Sequence, residues 1–308
     1  MNTLPSVAII ILNFNKRVDV LEAIDSALAT EYQDVEILVI DNASTDGSWE
    51  AITEAYPRLT KIRMSSNVGA AGGRNAAWQH QKEQSATDYL FFLDDDATIA
   101  SDGISQFVNA VQSDQTVGIA CGKGYTRFPS TIINSVGIQA NFYTGVIEDI
   151  GAGEEDLGQY ETQRYVDACG CFGLFINATL FDQLNGFNEA FNPYGWEEVD
   201  LCLRAKQLGY QSLYVPTAII HHKGTKLGRK PVPQYEQTKA RNYLYLIKQH
   251  ANVLQLITIG LYFPFRLLAL ITKLVYQGNM NIIAAHARGA WRALDPQQWT
   301  TKQKKTVK

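Results

Sequence analysis

The first hundred residues alternate between two hydrophobic periods. Residues 6–13 (SVAIIILN) and 35–40 (VEILVI) are nearly unbroken apolar runs rich in β-branched side chains, the signature of strands covered on both faces. Between them, residues 16–30 carry Val20, Ile24, Ala27 and Leu28 at helical spacing. Residues 42–48 (NASTDGS) read as a turn in which Ser44, Thr45 or Asp46 can cap the next helix. Residues 61–64 predict a short third strand and 72–84 a helix; 89–93 (YLFFL) predict a strand that runs into Asp94-Asp95-Asp96. This alternation predicts an α/β fold, a mainly parallel central sheet flanked by helices. Ligands bind such sheets beyond the carboxyl ends of the strands, where Asp41 and the Asp94–Asp96 run both fall.

The middle of the chain breaks this rhythm. Residues 121–165 are Gly-rich and irregular, with acids at Glu148, Asp149, Glu154, Glu155 and Asp156, and predict loops and short hairpins over the active face. A small-residue apolar segment follows, then a helix over 178–184, a turn, and a helix over 196–208 closed by Gly209. The strand QSLYVP leads on to His221-His222. Residues 253–276 are strongly apolar, but their charge-free run (251–265) has 15 residues, short of the 18 or so of a spanning helix. Arg266 interrupts the run and Pro264 predicts a kink. This segment is expected to lie on a membrane as an interfacial helix pair, to pack on the body or a subunit, or to span.

Composition narrows the classes. A chain of 308 residues, 46% apolar and 19% charged, can bury a sizeable core and is neither disordered, collagen-like nor a disulfide-rich miniprotein. Its four cysteines show no CxxC pair and no zinc spacing, so reduced, buried thiols are expected. The N-terminus lacks a basic region, and its apolar run is too short for a signal sequence, so the cytoplasm is the expected compartment. A net charge of −4 conceals an asymmetry. Residues 223–308 carry 15 Lys and Arg against Glu236 and Asp295, while residues 1–222 carry 29 acids against 12 bases. An acidic body is thus joined to a basic segment suited to an anionic partner. The terminal KQKKTVK, with Lys302, Lys304, Lys305 and Lys308, suits an anionic lipid surface or a solvated tail.

Four groups of residues carry chemistry. Three adjacent carboxylates at a strand end repel one another and call for a cation; their hard oxygens suit Mg²⁺ or Mn²⁺. An imidazole of His221-His222 can complete that shell, with His221 the expected ligand and His222 the alternative. Glu197, Glu198 and Asp200 open a helix; Asp200 is explained by the helix dipole and a pair with Arg204, which leaves Glu198 as a general base and Glu197 as an acceptor contact or structural acid. The loop NVGAAGGRN (67–75) offers backbone N–H groups and Arg74 to a phosphate, or is a tight turn needing positive φ.

These motifs, in this order over residues 6–225, resemble the inverting nucleotide-sugar glycosyltransferases of family 2 on the GT-A fold, and bacterial rhamnosyltransferase-like members in particular. The carriers are AIIILNFNK, ILVIDNASTDGS, NVGAAGGRN, FFLDDDATI and the stretch from LFDQLNGFNEAFNPYGWEEVD to AIIHH. The resemblance implies a catalytic domain over 1–225 and a basic helical C-terminal segment over 226–308. It implies that Leu12, Asn13 and Asn15 line the nucleotide pocket, that Asp41 contacts the base with Asn67 and Arg74 nearby, and that Asp94 and Asp95 address ribose and diphosphate. Asp96 and His221 would bind Mn²⁺ or Mg²⁺, Trp196 and Glu197 the acceptor, and Glu198 would be the catalytic base. Glu198 stands where the family usually has Asp, one methylene shorter; an unadjusted shift of about 1 Å can cost on the order of 10²-fold in rate. The implied reaction is inverting transfer from a nucleoside-diphosphate sugar to a glycan or lipid-linked acceptor, in cell-surface polysaccharide assembly at the inner face of the membrane. A homodimer is one expected association, and nucleic acid is not an expected partner. Two alternatives stand beside it: a non-catalytic relative that binds sugar nucleotides or glycans, and a haloacid-dehalogenase-like phosphohydrolase, whose DxDx[TV] signature DDDAT also fits.

Overall fold

The computed structural model describes residues 4–127, 129–224 and 231–294. Its first part is β1 (Val7–Asn13), α1 (Arg17–Leu28), β2 (Val35–Asp41), α2 (Ser48–Ala55), β3 (Thr60–Arg63), α3 (Gly69–Gln84) and β4 (Tyr89–Asp94). β1 pairs in parallel with β2 and β4, and β2 with β3. The register sets Asn13 opposite Asp41 and Leu12 opposite Asp94, so the polar strand ends share one edge. The unbroken apolar runs arise because both faces are covered. Ala8 and Ile10 pack in one core with Trp78, while Val7, Ile9 and Ile11 pack in the other with Val20 and Ile24. Before α2, Gly47 takes the cap position with φ +83°, and Asp46 accepts the Ser48 N–H at 3.0 Å.

The second part comprises β5 (Ala97–Ile99), α4 (Gly103–Gln112), β6 (Val117–Tyr125), β7 (Ile133–Ser135), β8 (Ile138–Asn141), β9 (Val146–Asp149), β10 (Arg164–Val166), β11 (Gly173–Asn177), α5 (Ala178–Gln183), α6 (Glu197–Gln207) and β12 (Gln211–His222). The main path of the sheet runs β10-β12-β6-β11-β4-β1-β2-β3. β11 enters it antiparallel, between β4 and β6. Among the described residues no crossover helix separates β6 from β11, so the chain re-enters the sheet from the end it left. The irregular middle is strand-poor but ordered, with β8 and β9 forming a two-stranded hairpin.

Three helices complete the chain: α7 (Pro233–His250), α8 (Val253–Tyr276) and α9 (Met280–Ala293). Asn242 of α7 is fully buried; its Nδ2 donates to the carbonyls of Phe191, Tyr194 and Gly195 in the loop ahead of α6. His250 Nε2 meets Asp200 Oδ1 at 2.8 Å, beside the Arg204–Asp200 pair that the helix spacing predicted. α8 differs from the expected kinked pair: it is one helix, started by an Asn252–Gln255 capping box and continuous through Pro264. Ile259 and Leu274 are its buried residues, so most of its apolar surface is not packed on the body. The expected domain boundary at 225, Lys226, Arg229, Lys230 and the KQKKTVK tail lie outside the described residues.

Candidate active site

The carboxyl ends of β1, β4 and β12 and the N-termini of α3 and α6 surround a cleft of about 560 Å³. Among the sequence-predicted residues, Leu12, Asn67, Arg74, Asp94, Asp95, Asp96, Trp196, Glu197 and Glu198 line it. Asn13, Asn15 and Asp41 are not among the lining residues. Asp41 is buried at the end of β2, where its Oδ1 accepts from Asn13 Nδ2 at 2.7 Å and its Oδ2 from the Ser44 N–H at 3.0 Å. Asn15, in the left-handed region at φ +55°, accepts the Thr45 N–H at 2.8 Å. These residues hold the end of β1 and the segment after it to the end of β2 and its following turn.

The acidic run is divided by its partners. Asp94 Oδ1 takes Arg74 Nη2 at 2.6 Å, and Asp95 Oδ2 accepts the Phe14 N–H at 2.9 Å. Asp96 is buried; its Oδ2 lies 2.7 Å from Lys16 Nζ and its Oδ1 3.1 Å from His222 Nε2. Burial, with the charges of Asp96 and Asp94 added, pushes the Asp95 carboxyl up to about 8. Burial would also raise Asp96, but hydrogen bonds and charges from His222 and Lys16 hold it well below the usual carboxylate range. The carboxyls are therefore unequal: Asp96 is held ionised by its partners, while Asp95 is pushed toward its protonated form.

The histidine beside these acids is His222, and this corrects the expectation for His221. Successive strand residues point to opposite faces, so only one of the pair can turn toward the acids. In the β12–β5 register His222 stands opposite Ala97 and His221 opposite Thr98. The His222 ring stacks on Phe172 at 5.0 Å, with Nδ1 at 3.2 Å from Asn134 Nδ2. The His221 ring stacks instead on Tyr125 at 5.6 Å, and burial lowers its pKa. Donor atoms of Asp94, Asp96 and His222 lie within 4.8 Å of one another. A Cβ on Gly224 would stand 2.6 Å from His222 Nε2 and 2.7 Å from Asp96 Oδ2, so glycine keeps the space before these donors open. Two carboxylates and an imidazole around an open space fit Mn²⁺ or Mg²⁺.

Opposite this group stands the start of α6. Glu197 is buried, with Oε1 3.2 Å from Arg74 Nη1 and Oε2 without a hydrogen-bond partner among the described residues. Arg74 thereby ties the acidic run to the Glu197-Glu198 helix start rather than pointing at solvent. Most of the glycine-rich segment is the first turns of α3, and Gly69 at its start is the one glycine there with positive φ. Gly69 has φ +82°, and a Cβ there would come within 2.3 Å of Asn192 Oδ1. The Ala70 N–H is taken by the Pro193 carbonyl at 2.8 Å. Trp196 is half-buried; its Nε1 donates to the Lys239 carbonyl at 3.1 Å and Lys239 Nζ lies 5.3 Å from its ring centre. Sequence reasoning missed Lys16, Asn134, Phe172, Tyr235 and Lys239, all of which line the cleft. Tyr235 and Lys239 are four apart on α7, a spacing that puts both on one helix face, but nothing in the sequence says what that face meets. Lys223, a base next to the site, is paired with Asp19 and Glu22 at 2.8 and 2.5 Å. The four cysteines are free and buried, as expected.

The profile of glycosyl transferase family 2 matches residues 8–177. The chain is 26% identical over 245 residues to the N-acetylglucosaminyl-diphospho-decaprenol L-rhamnosyltransferase of Mycobacterium tuberculosis, covering 73% of this chain and 78% of that one. It is 31% identical over 110 residues to the UDP-Glc:alpha-D-GlcNAc-diphosphoundecaprenol beta-1,3-glucosyltransferase WfaP of Escherichia coli, covering 35% of this chain and 42% of that one. Among solved structures, GalNAc-T7 with UDP, GalNAc and Mn²⁺ superposes with a TM-score of 0.63 at 14% identity, over 80% of this chain and 48% of that one. The mannosyltransferase PcManGT from Pyrobaculum calidifontis, in complex with GDP-Man and Mn²⁺, gives 0.57 at 17% identity, over 96% and 83%. At these identities the two structures show a shared fold.

Proposed function

The chain belongs to glycosyl transferase family 2, and from that premise we propose that this glycosyltransferase moves a sugar from a nucleoside-diphosphate donor to a hydroxyl of a lipid-linked glycan, with inversion. Family membership sets aside the phosphohydrolase alternative. The observation that carries the proposal is the convergence, in one cleft, of the Asp94–Asp96–His222 group with the Glu197-Glu198 helix start. The names of the Mycobacterium and Escherichia relatives, both transferases to polyprenol-diphosphate-linked sugars, favour the acceptor class. Work in cell-surface polysaccharide assembly, at the cytoplasmic face of the membrane, follows from that class.

On this reading Leu12, Asn67, Arg74, Asp94 and Asp95 line the nucleotide end of the cleft, and Asn13, Asn15 and Asp41 serve it by holding the β1 and β2 ends together. Trp196 and Glu197 line the acceptor end of the cleft. Glu198 takes the proton from the acceptor hydroxyl; the oxygen forms its bond to the anomeric carbon as the bond to the diphosphate oxygen breaks on the opposite face. When bound by Asp94, Asp96 and His222, Mn²⁺ or Mg²⁺ supplies positive charge for the leaving diphosphate. Arg74, held between Asp94 and Glu197, fixes the distance between the two halves of the cleft.

The test is to supply Mn²⁺ and a panel of UDP-, dTDP- and GDP-sugars with a GlcNAc-diphosphate lipid acceptor, and to measure released nucleoside diphosphate. Acceptor-stimulated release from one donor, abolished by EDTA, is expected. Donor binding with no stimulated release from any donor would instead favour a non-catalytic relative.

A further inference from the structure

α8 is the most exposed apolar element among the described residues, and its two faces differ. On one face Ile259 packs with Phe142 and Ile247. Seven residues on, Arg266 Nη1 donates to the Thr144 carbonyl at 3.1 Å, to the Gly145 carbonyl, and to Tyr243 Oη at 3.3 Å. On the opposite face Ile257, Leu261, Phe265, Leu268 and Val275 form a stripe at helical spacing. Leu261, Phe265 and Leu268 are 67, 73 and 65% exposed. Tyr262 and Phe263 are exposed too and flank the Ile259–Arg266 face on its two sides, so the exposed apolar surface is wider than a helix–helix seam. The C-terminal helices are basic in composition: residues 231–294 contain seven Lys and Arg and a single acid, Glu236.

We propose that α8 is a monotopic membrane element that lies in the plane of an anionic bilayer surface, and that its seating sets the position of the β8–β9 hairpin, one wall of the cleft. The anchored face decides the orientation. Arg266 and Ile259 tie the middle of α8 to the catalytic body, and in a spanning helix those contacts would stand at the depth of the hydrocarbon. The hairpin, whose Thr144 and Gly145 carbonyls take Arg266, and the polar body behind it cannot stand at that depth. A helix in the interface keeps that side in water and the Leu261–Phe265–Leu268 side in the acyl boundary. The basic composition of the C-terminal helices, with Lys273 in the last turn of α8, suits anionic headgroups. The hairpin coupling is direct. Gly145, at φ +71°, is clasped so closely that a Cβ would come within 2.6 Å of Tyr243 Oη and 3.0 Å of Arg266 Nη1. Two to four residues on, Ile147, Glu148 and Asp149 line the cleft. A lipid-linked acceptor would meet this wall as it leaves the bilayer, a step that rests on the proposed acceptor class.

Sedimentation of the full chain with phosphatidylethanolamine–phosphatidylglycerol vesicles tests the seating independently of any transfer activity. Wild type is expected to bind and the L261E/F265E/L268E variant to lose affinity at least about tenfold, with acceptor-free donor hydrolysis unchanged. Equal binding by both would overturn the proposal, as would a vesicle-free dimer that the same substitutions dissociate, which would give the face to a second copy. Spin labels on single cysteines at 257, 265 and 275 are expected at one shallow depth, about 5–10 Å. A deep label at 265 between shallow ends means a span, and the in-plane reading falls. For the coupling, Arg266→Gln is expected to raise KM for the vesicle-borne acceptor severalfold while vesicle affinity and donor KM hold, with Arg266→Lys partly restoring it. A parallel rise in donor KM counts against the coupling.

Discussion

Asp96 and His222 share one short contact, and the single-residue expectations turn on it. Asp96 is reached from the chain before it by Lys16 and from the chain after it by His222, so its charge is held in place before any ion arrives. His222→Ala is expected to weaken Mn²⁺ affinity at least tenfold, the scale carried even by outer partners of metal ligands. His221→Ala, whose ring lies on Tyr125, is expected to leave Mn²⁺ affinity near wild type; calorimetric titration of both variants with Mn²⁺ decides it. The opposite ranking would restore His221 as the ligand. Glu198 lines the cleft at the first turn of α6, one residue beyond the Arg74-bound Glu197. Glu198→Gln keeps the shape and removes the base, so kcat is expected to fall on the order of 10²–10⁴-fold with donor KM little changed. Steady-state kinetics at saturating acceptor measure both, and a kcat near wild type removes Glu198 from the mechanism. Which histidine faces the acids was not legible in HHKG: the dipeptide states the choice, and the β12–β5 register makes it.

At the scale of elements, the start of α6 depends on α7. The loop from Phe191 to Gly195 carries Tyr194 into a 4.7 Å stack with Tyr235, and delivers Trp196 to the α6 cap at φ +75°. Three of its carbonyls end on the single amide of Asn242. Asn242→Ala strands the buried Phe191 carbonyl and two part-buried ones, a loss of about 1–3 kcal/mol in stability. Because the same loop aims Glu198, a fall in kcat should accompany the fall in stability. Urea unfolding and single-turnover transfer read the two effects, and unchanged stability would mean that the loop holds itself. α8 shows what an element's own pattern can and cannot say. Its apolar length and Arg266 were plain in the sequence. Pro264 argued for two helices, yet the chain runs through it as one. The capping box and the contacts at Ile259 and Arg266 fix a single axis, and a local helix-breaking cost of about 3 kcal/mol is within what such contacts offset.

Across the whole molecule, the acidic body and the basic segment form one structure. α7 lends Tyr235 and Lys239 to the cleft and buries Leu246 in the main core, while α9 packs against α7, with Gly289 allowing close approach to the Gln237 carbonyl. A chain ending at residue 224 is therefore expected to lose transfer activity and to melt well below the full chain, as circular dichroism and nucleoside diphosphate release would show. A truncated chain with wild-type melting and transfer would make the C-terminal helices a separate unit. The α/β class, the places of the first four strands along the chain, the strand-end acids and the family resemblance were legible because they depend on short-range periodicity and contiguous motifs. Each strand's apolar run and polar end are properties of a few neighbouring residues. The antiparallel entry of β11, the choice of His222, the burial of Asp41 at the end of β2 and the joining of α7 to the loop before α6 were not. Those follow from register and from contacts between residues tens to hundreds of positions apart. Sequence alone thus determined which side chains end the strands; only the tertiary structure decided which of them face one another across the cleft, because facing is set by the packing of distant segments.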